Sequence, residues 1–155
     1  MTLGAVLQAL IPWYGAGARF RFYLRLREFY RKHHMYFLGQ CLKSHLQYKY
    51  GCEIAVNATI SPAASFMHTV GVVIGEGVII DQNVTIYSGV CLGRKDIQKD
   101  DDYPIIQEGS ILCTDCSVLG KIVVARHTTV GAKSLVITDT HPGGTYVGIP
   151  AKLIK

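Results

Sequence analysis

A chain of 155 residues has room for one domain, or for one domain with a small appendage. Hydrophobic residues make up 49% and charged residues 17%, which excludes a disordered or collagen-like chain because there is ample apolar surface to bury. The net charge of +5 hides a division: residues 1–52 hold eight basic residues and one acid, Glu28, whereas residues 53–155 hold eight basic and ten acidic residues.

The opening stretch lacks the basic flank of a secretory signal, and no apolar run approaches the ~20 residues of a spanning helix, so a cytoplasmic protein is expected. Residues 12–17 read as a breaker, and from Ala18 the pattern is helical. Phe22, Leu26, Phe29, Tyr30, Phe37 and Cys41 form an apolar stripe at mostly three- and four-residue steps, and Gly39 is a candidate break. Arg19, Arg21, Arg25, Arg27, Arg31 and Lys32 crowd the same segment. Two readings stand: a helical cap with solvated arginines, which we favour, and a peripheral membrane-surface helix. Nucleic acid is not an expected partner, because the rest of the chain is slightly acidic.

From Ile54 the period changes to six. Anchors fall at Ile54, Ile60 and Phe66, then after a two-residue slip at Ile74, Ile80, Ile86 and Leu92. After a further gap they resume at Ile106, Leu112, Val118, Val124, Val130 and Val136. Four residues after most anchors stands a small or β-branched residue, such as Ala58, Ala64, Val70, Val84, Cys116 and Ser134. Six fits neither a helix nor a run of hairpins; it fits a prism of short strands with tight corners, in which each coil buries its anchors against its neighbours. The predicted fold is mainly β: a parallel β-helix of about four coils over 53–155, behind a helical N-terminal segment over 1–52. The slip carried by Met67–Gly71 and the polar stretch 93–105, read as a projecting loop, are where chemistry is expected on such a scaffold.

Five cysteines without secretory context are expected to be reduced. Cys113 and Cys116 resemble half a zinc site, but no second pair follows at finger spacing, so no metal is expected.

Three stretches carry a family resemblance over about residues 51–155. They are His68-Thr69-Val70-Gly71-Val72-Val73-Ile74-Gly75-Glu76, the coil from Val84 to Gly93, and Gly148-Ile149-Pro150-Ala151-Lys152. Together they resemble the hexapeptide-repeat acyltransferases, and within them the serine O-acetyltransferase branch. The resemblance implies a left-handed β-helix, a homotrimer, and acetyl-CoA as co-substrate. It makes His68 the general base that takes a hydroxyl proton as the oxygen attacks the thioester, a role suited to an imidazole near neutral pH. It makes Glu53, fifteen residues earlier and about one coil away, the carboxylate that orients His68.

Departures from that branch concern the acceptor. Met67 stands where those enzymes place an aspartate for serine's amino group. The loop ends in Asp102-Tyr103-Pro104 where they have Arg-His-Pro, whose arginine takes serine's carboxylate. Met67, Asp102 and Tyr103 are therefore the expected acceptor-binding residues. Carboxylates and an aromatic face suit a polyol, which leads to an expected O-acetylation of a sugar or glycan precursor, as in the short members found among polysaccharide-biosynthesis enzymes. Serine O-acetylation is the alternative, and a non-catalytic scaffold subunit a further one. A zinc carbonic anhydrase on this fold is disfavoured, because its three-histidine ligand set is missing. For the cofactor, the resemblance points to a groove passing Gly93, Cys116, Ala132, Lys133 and Lys152, although Cys113-Thr114-Asp115 replaces the usual Gly-Ala-Gly.

Overall fold

The computed structural model describes residues 16–155. The expectation of no secretory signal, and the breaker stretch as far as residue 15, fall outside the described residues. From Ala16 the chain is helical. Helix α1 (Ala16–Lys32) and helix α2 (Tyr36–Tyr50) are separated at His33–Met35, where His34 takes φ 54°. The break is therefore not at Gly39, which is buried inside α2. A Cβ there would lie 2.9 Å from Val56 Cγ1, so glycine permits close packing of α2 on the first coil. Gly51, left-handed at φ 62°, ends α2 and donates its N–H to the Gln47 carbonyl.

The apolar stripe is not the expected one. Phe20, Leu24 and Arg27 of α1 are buried, with Gly39, Leu42 and Leu46 of α2, while Phe29, Phe37 and Cys41 face solvent. An arginine enters this core because its Nη2 donates to the carbonyls of Ala55, Val56 and Ala58.

Beyond Gly51 fifteen short strands form three sheets. Strands β1 (Glu53–Ile54), β4 (Val73–Ile74), β7 (Cys91–Gly93), β10 (Ser117–Leu119) and β13 (Leu135–Val136) stack as the first sheet. Strands β2 (Thr59–Ile60), β5 (Ile79–Ile80), β8 (Ile105–Ile106) and β11 (Val123–Val124) make the second. The third stacks β3 (Ser65–Phe66), β6 (Thr85–Ile86), β9 (Ile111–Leu112), β12 (Thr129–Val130), β14 (Thr145–Gly148) and β15 (Ala151–Leu153). All pairings are parallel except β14 with β15. The result is a parallel β-helix of four complete coils, with β13 and β14 opening a fifth.

Every strand from β1 to β13 holds one period-six anchor, and all but Phe66 are buried to 3% exposure or less. Phe66 is half-buried: the Phe20 ring meets it edge-on at 5.1 Å, and the rest of its side chain lines an open cavity. Corner seats are filled by small residues such as Ala58, Val84 and Cys116. At the slip the seat passes to Val72, which is buried, and Val70 is exposed, contrary to the sequence pattern. Residues 94–104 form no strand and project from the corner between the first and second sheets.

Candidate active site

The corner between the third and first sheets recurs in successive coils as 67–72, 87–90, 113–116 and 131–134. The first has six residues where the others have four, and the two extra residues bulge outward. They are pinned from both sides. Thr69 Oγ1 donates to the Tyr50 carbonyl (3.0 Å), Gly71 N–H to the Gly51 carbonyl (2.8 Å), and Gly89 N–H to the Val70 carbonyl (3.0 Å). His68 stands exposed on this bulge, and its ring makes no hydrogen bond among the described residues. Beside it opens a cavity of about 230 Å³ lined by Phe20, Tyr50, Phe66, Met67, Thr69 and Val70.

Glu53 lies on β1, one coil from β4, in register with Val73. Its carboxylate does not meet His68; Oε1 pairs with Lys43 Nζ of α2 at 2.9 Å, half exposed. Met67 is exposed and shares the His68 cavity, as its place in the sequence requires.

Asp102 and Tyr103 sit on a different corner and do not face His68 within one protomer. Asp102 Oδ2 accepts the N–H groups of Lys95 (2.9 Å) and Asp96 (2.8 Å), and Oδ1 that of Lys121 (2.8 Å). The carboxylate is a staple inside the loop. Those donors, Asp96 N–H foremost, hold its carboxyl below the usual range. The sign follows: a depressed carboxyl contributes stability above its unfolded pKa and loses it as pH falls through the folded one. The staple should thus hold at neutral pH and open only in acid. Tyr103 lays its ring on the turn Gly75-Glu76-Gly77, where a Cβ at Gly77 would fall 2.4 Å from a ring carbon. Arg94 is 5.5 Å from the ring centroid and pairs with Asp100 at 3.5 Å. With one face covered in this way, the ring is not a free stacking platform.

Replacing Asp102 with alanine is expected to loosen the loop without unfolding the prism. Tryptic cleavage after Arg94, Lys95 and Lys99 should accelerate while the thermal midpoint barely moves. An unchanged cleavage rate would show that the loop does not depend on this carboxylate.

The expected cofactor residues divide. Ala132 and Lys133 are exposed on the His68 corner, three coils along, with Lys133 N–H donating to the Thr114 carbonyl (3.0 Å). Lys152 is exposed on β15 opposite Val147. Gly93 opens the loop at the other corner, its carbonyl accepting the Gly120 N–H (3.0 Å). Cys116 leaves the set: it is fully buried inside the prism, and burial pushes its thiol up to about 12. Sequence reasoning missed Phe20 and Tyr50, which reach the cavity from the helices. No local pattern signals a contact with a residue 48 or 18 positions away in the chain.

Among known proteins, no family model matches. A serine acetyltransferase of Bacillus pumilus is 35% identical over 130 residues, covering 84% of this chain and 60% of that protein. A solved serine acetyltransferase in complex with CoA superimposes with a TM-score of 0.83 at 26% identity, over 91% of this chain and 58% of that one. A serine acetyltransferase of Helicobacter pylori is 35% identical over 130 residues, covering 84% of this chain and 76% of its own length. The chain belongs to the serine acetyltransferase family. Its prism is the left-handed β-helix of the hexapeptide-repeat acyltransferases.

Membership corrects the expected sugar or glycan acceptor, and the polysaccharide-biosynthesis setting goes with it, since the relatives are serine acetyltransferases. The physical reason lies in the loop. Asp102 spends its charge on backbone N–H groups and Tyr103 spends its face on two glycines, so neither opposes an amino acid in the way their sequence positions suggested. The chain spans 60% and 57% of the first two Bacillus serine acetyltransferases it matches.

Proposed function

We propose that the protein is an acetyl-CoA-dependent serine O-acetyltransferase with His68 as general base. The observation that carries this reading is an exposed histidine on the one six-residue bulge of its corner, beside a cavity, in a chain of this family. The imidazole removes the serine hydroxyl proton as that oxygen attacks the thioester carbonyl. Collapse of the adduct breaks the carbon–sulfur bond, and the imidazolium returns the proton to the departing CoA sulfur. The products are O-acetylserine and CoA. From the His68 bulge to Lys133 the corner climbs three coils, about 14 Å at the strand spacing of a sheet. That column suits an extended pantetheine arm, with its thioester near His68 and its phosphates near Lys133 and Lys152.

A homotrimer is part of the proposal. Outward-facing Val73, Ile79 and Ile111, one on each of the three sheets, are each 38–39% exposed in one copy, so the prism faces carry apolar side chains that symmetric neighbours would cover. Sedimentation velocity at micromolar concentration should give three copies.

The test is CoA thiol release from acetyl-CoA with and without L-serine. Serine-dependent release is expected; none above the serine-free rate would overturn the proposal. Glu53→Gln should lower kcat less than loss of His68 does, since it alters charge beside Lys43 and leaves the base in place. Because that pair is half exposed, stability should change by no more than about 1 kcal/mol in urea unfolding.

A further inference from the structure

The helices bury one side and leave the other without a protein partner among the described residues. Phe20, Leu24 and Arg27 of α1 and Gly39, Leu42 and Leu46 of α2 are buried toward the prism end, with Tyr23, Leu26, Tyr30 and Tyr50 partly buried beside them. The outer side is unlike an ordinary solvated surface. Residues 32–38 are exposed without interruption, with Phe37 at 79% and Tyr36 at 54%. Phe29 is 46% exposed and Tyr48, on the outer face of α2, 95%. Phe29, Tyr36 and Phe37 stand exposed around the turn between the helices, with Tyr48 about three turns further along α2, and exposed aromatics of this size mark an interaction surface.

Charge selects the partner. Arg21, Arg25 and Lys32 are exposed on the outer side of α1, alongside Phe29, at four- and seven-residue steps. None of the three has an acidic partner among the described residues, whereas Glu28, the sole acid of the first 52 residues, is held by Arg27 and Arg31 at 2.9 Å each. Glu28 lies beside Arg25 and Lys32 but is already paired, so the stripe carries a net positive charge, on a chain whose remaining two-thirds is slightly acidic. Ahead of it, residues 1–18 carry no acidic or basic side chain. A cationic stripe flanked by exposed Phe and Tyr matches the boundary between anionic headgroups and acyl chains. No described helix is long and apolar enough to cross a membrane.

We infer that the α1–α2 hairpin docks on an anionic lipid bilayer, with Tyr36 and Phe37 entering the headgroup boundary and Arg21, Arg25 and Lys32 meeting lipid phosphates.

The test is flotation of the full chain with vesicles of phosphatidylcholine alone or mixed with phosphatidylglycerol, at low and at 0.15 M salt. Binding should favour the anionic vesicles, and weaken with salt as exposed charge pairs do. Replacing Arg21, Arg25 and Lys32 together with glutamine should cut the bound fraction by about tenfold or more. Tyr36→Ser with Phe37→Ser should cut it on anionic vesicles while leaving the circular dichroism spectrum unchanged. No binding, equal binding to both vesicles, or binding indifferent to these variants would overturn the inference. So would a self-associated species that Phe37→Ser disperses without any lipid binding, which would assign the patch to a second copy. None of these readouts uses acetyl transfer, so the outcome stands apart from that of the serine assay.

Discussion

Replacing His68 with alanine is expected to lower kcat for acetyl transfer by about 10²- to 10⁴-fold, the usual worth of a general base. The change should leave acetyl-CoA binding largely intact, because in the proposed column only the thioester end lies near the imidazole and the rest of the arm runs on to Lys133. Stability should hardly move either. His68 is exposed and its ring makes no hydrogen bond among the described residues, while the bulge is held by Thr69 Oγ1 and the N–H groups of Gly71 and Gly89. A loss confined to kcat, with unchanged KM for acetyl-CoA and an unchanged unfolding midpoint, is the expected pattern. Wild-type kcat in His68→Ala would sink the mechanism.

Replacing Arg27 with methionine should be the most damaging single change to stability. Alternate strand N–H groups along the prism donate to the carbonyls of the following coil, as Glu53 N–H does to Val72 and Ala55 N–H to Ile74. Carbonyls of the first coil that point away from the second have no coil before them to supply donors. Arg27 Nη2 takes those of Ala55, Val56 and Ala58, while Nη1 pairs with Glu28 at 2.9 Å. Burial lowers the guanidinium pKa and Glu28 opposes that shift. Methionine keeps much of the volume but strands three buried acceptors, at a cost of about 3–5 kcal/mol for a broken buried charge network. Urea unfolding measures it directly. A change below about 0.5 kcal/mol, the range of ordinary surface substitutions, would mean that water serves these carbonyls equally well.

The prism was legible in the sequence because its contacts are local and repeated. Each anchor meets the same anchor of the neighbouring coil, so Ile80 on Ile106 and Ile86 on Leu112 write the fold as a period. His68 was legible as a break in that period. The helical cap was not, because its buried side is decided by distant partners. Phe29 and Phe37 look like core by hydropathy, yet an arginine takes the buried place, as only Arg27 can satisfy carbonyls some thirty residues away. The acceptor assignment failed for a similar reason. Backbone N–H groups leave no trace in a sequence, so the three that occupy Asp102 were invisible, and its charge was credited to a substrate.

A stack of like layers has no internal reason to stop. Any uncovered final layer is a template on which another strand, from the same chain or a different molecule, can grow. Here growth is closed at both ends by different chemistry. Arg27, Glu28 and the two helices seal the outward backbone groups of the first layer, the guanidinium taking carbonyls and the carboxylate the Ile60 N–H. At the other end β15 turns back antiparallel on β14, with Tyr146 opposite Leu153, and interrupts the parallel succession. These terminators make the prism a fixed-length object, and keep its copies from joining end to end into fibres.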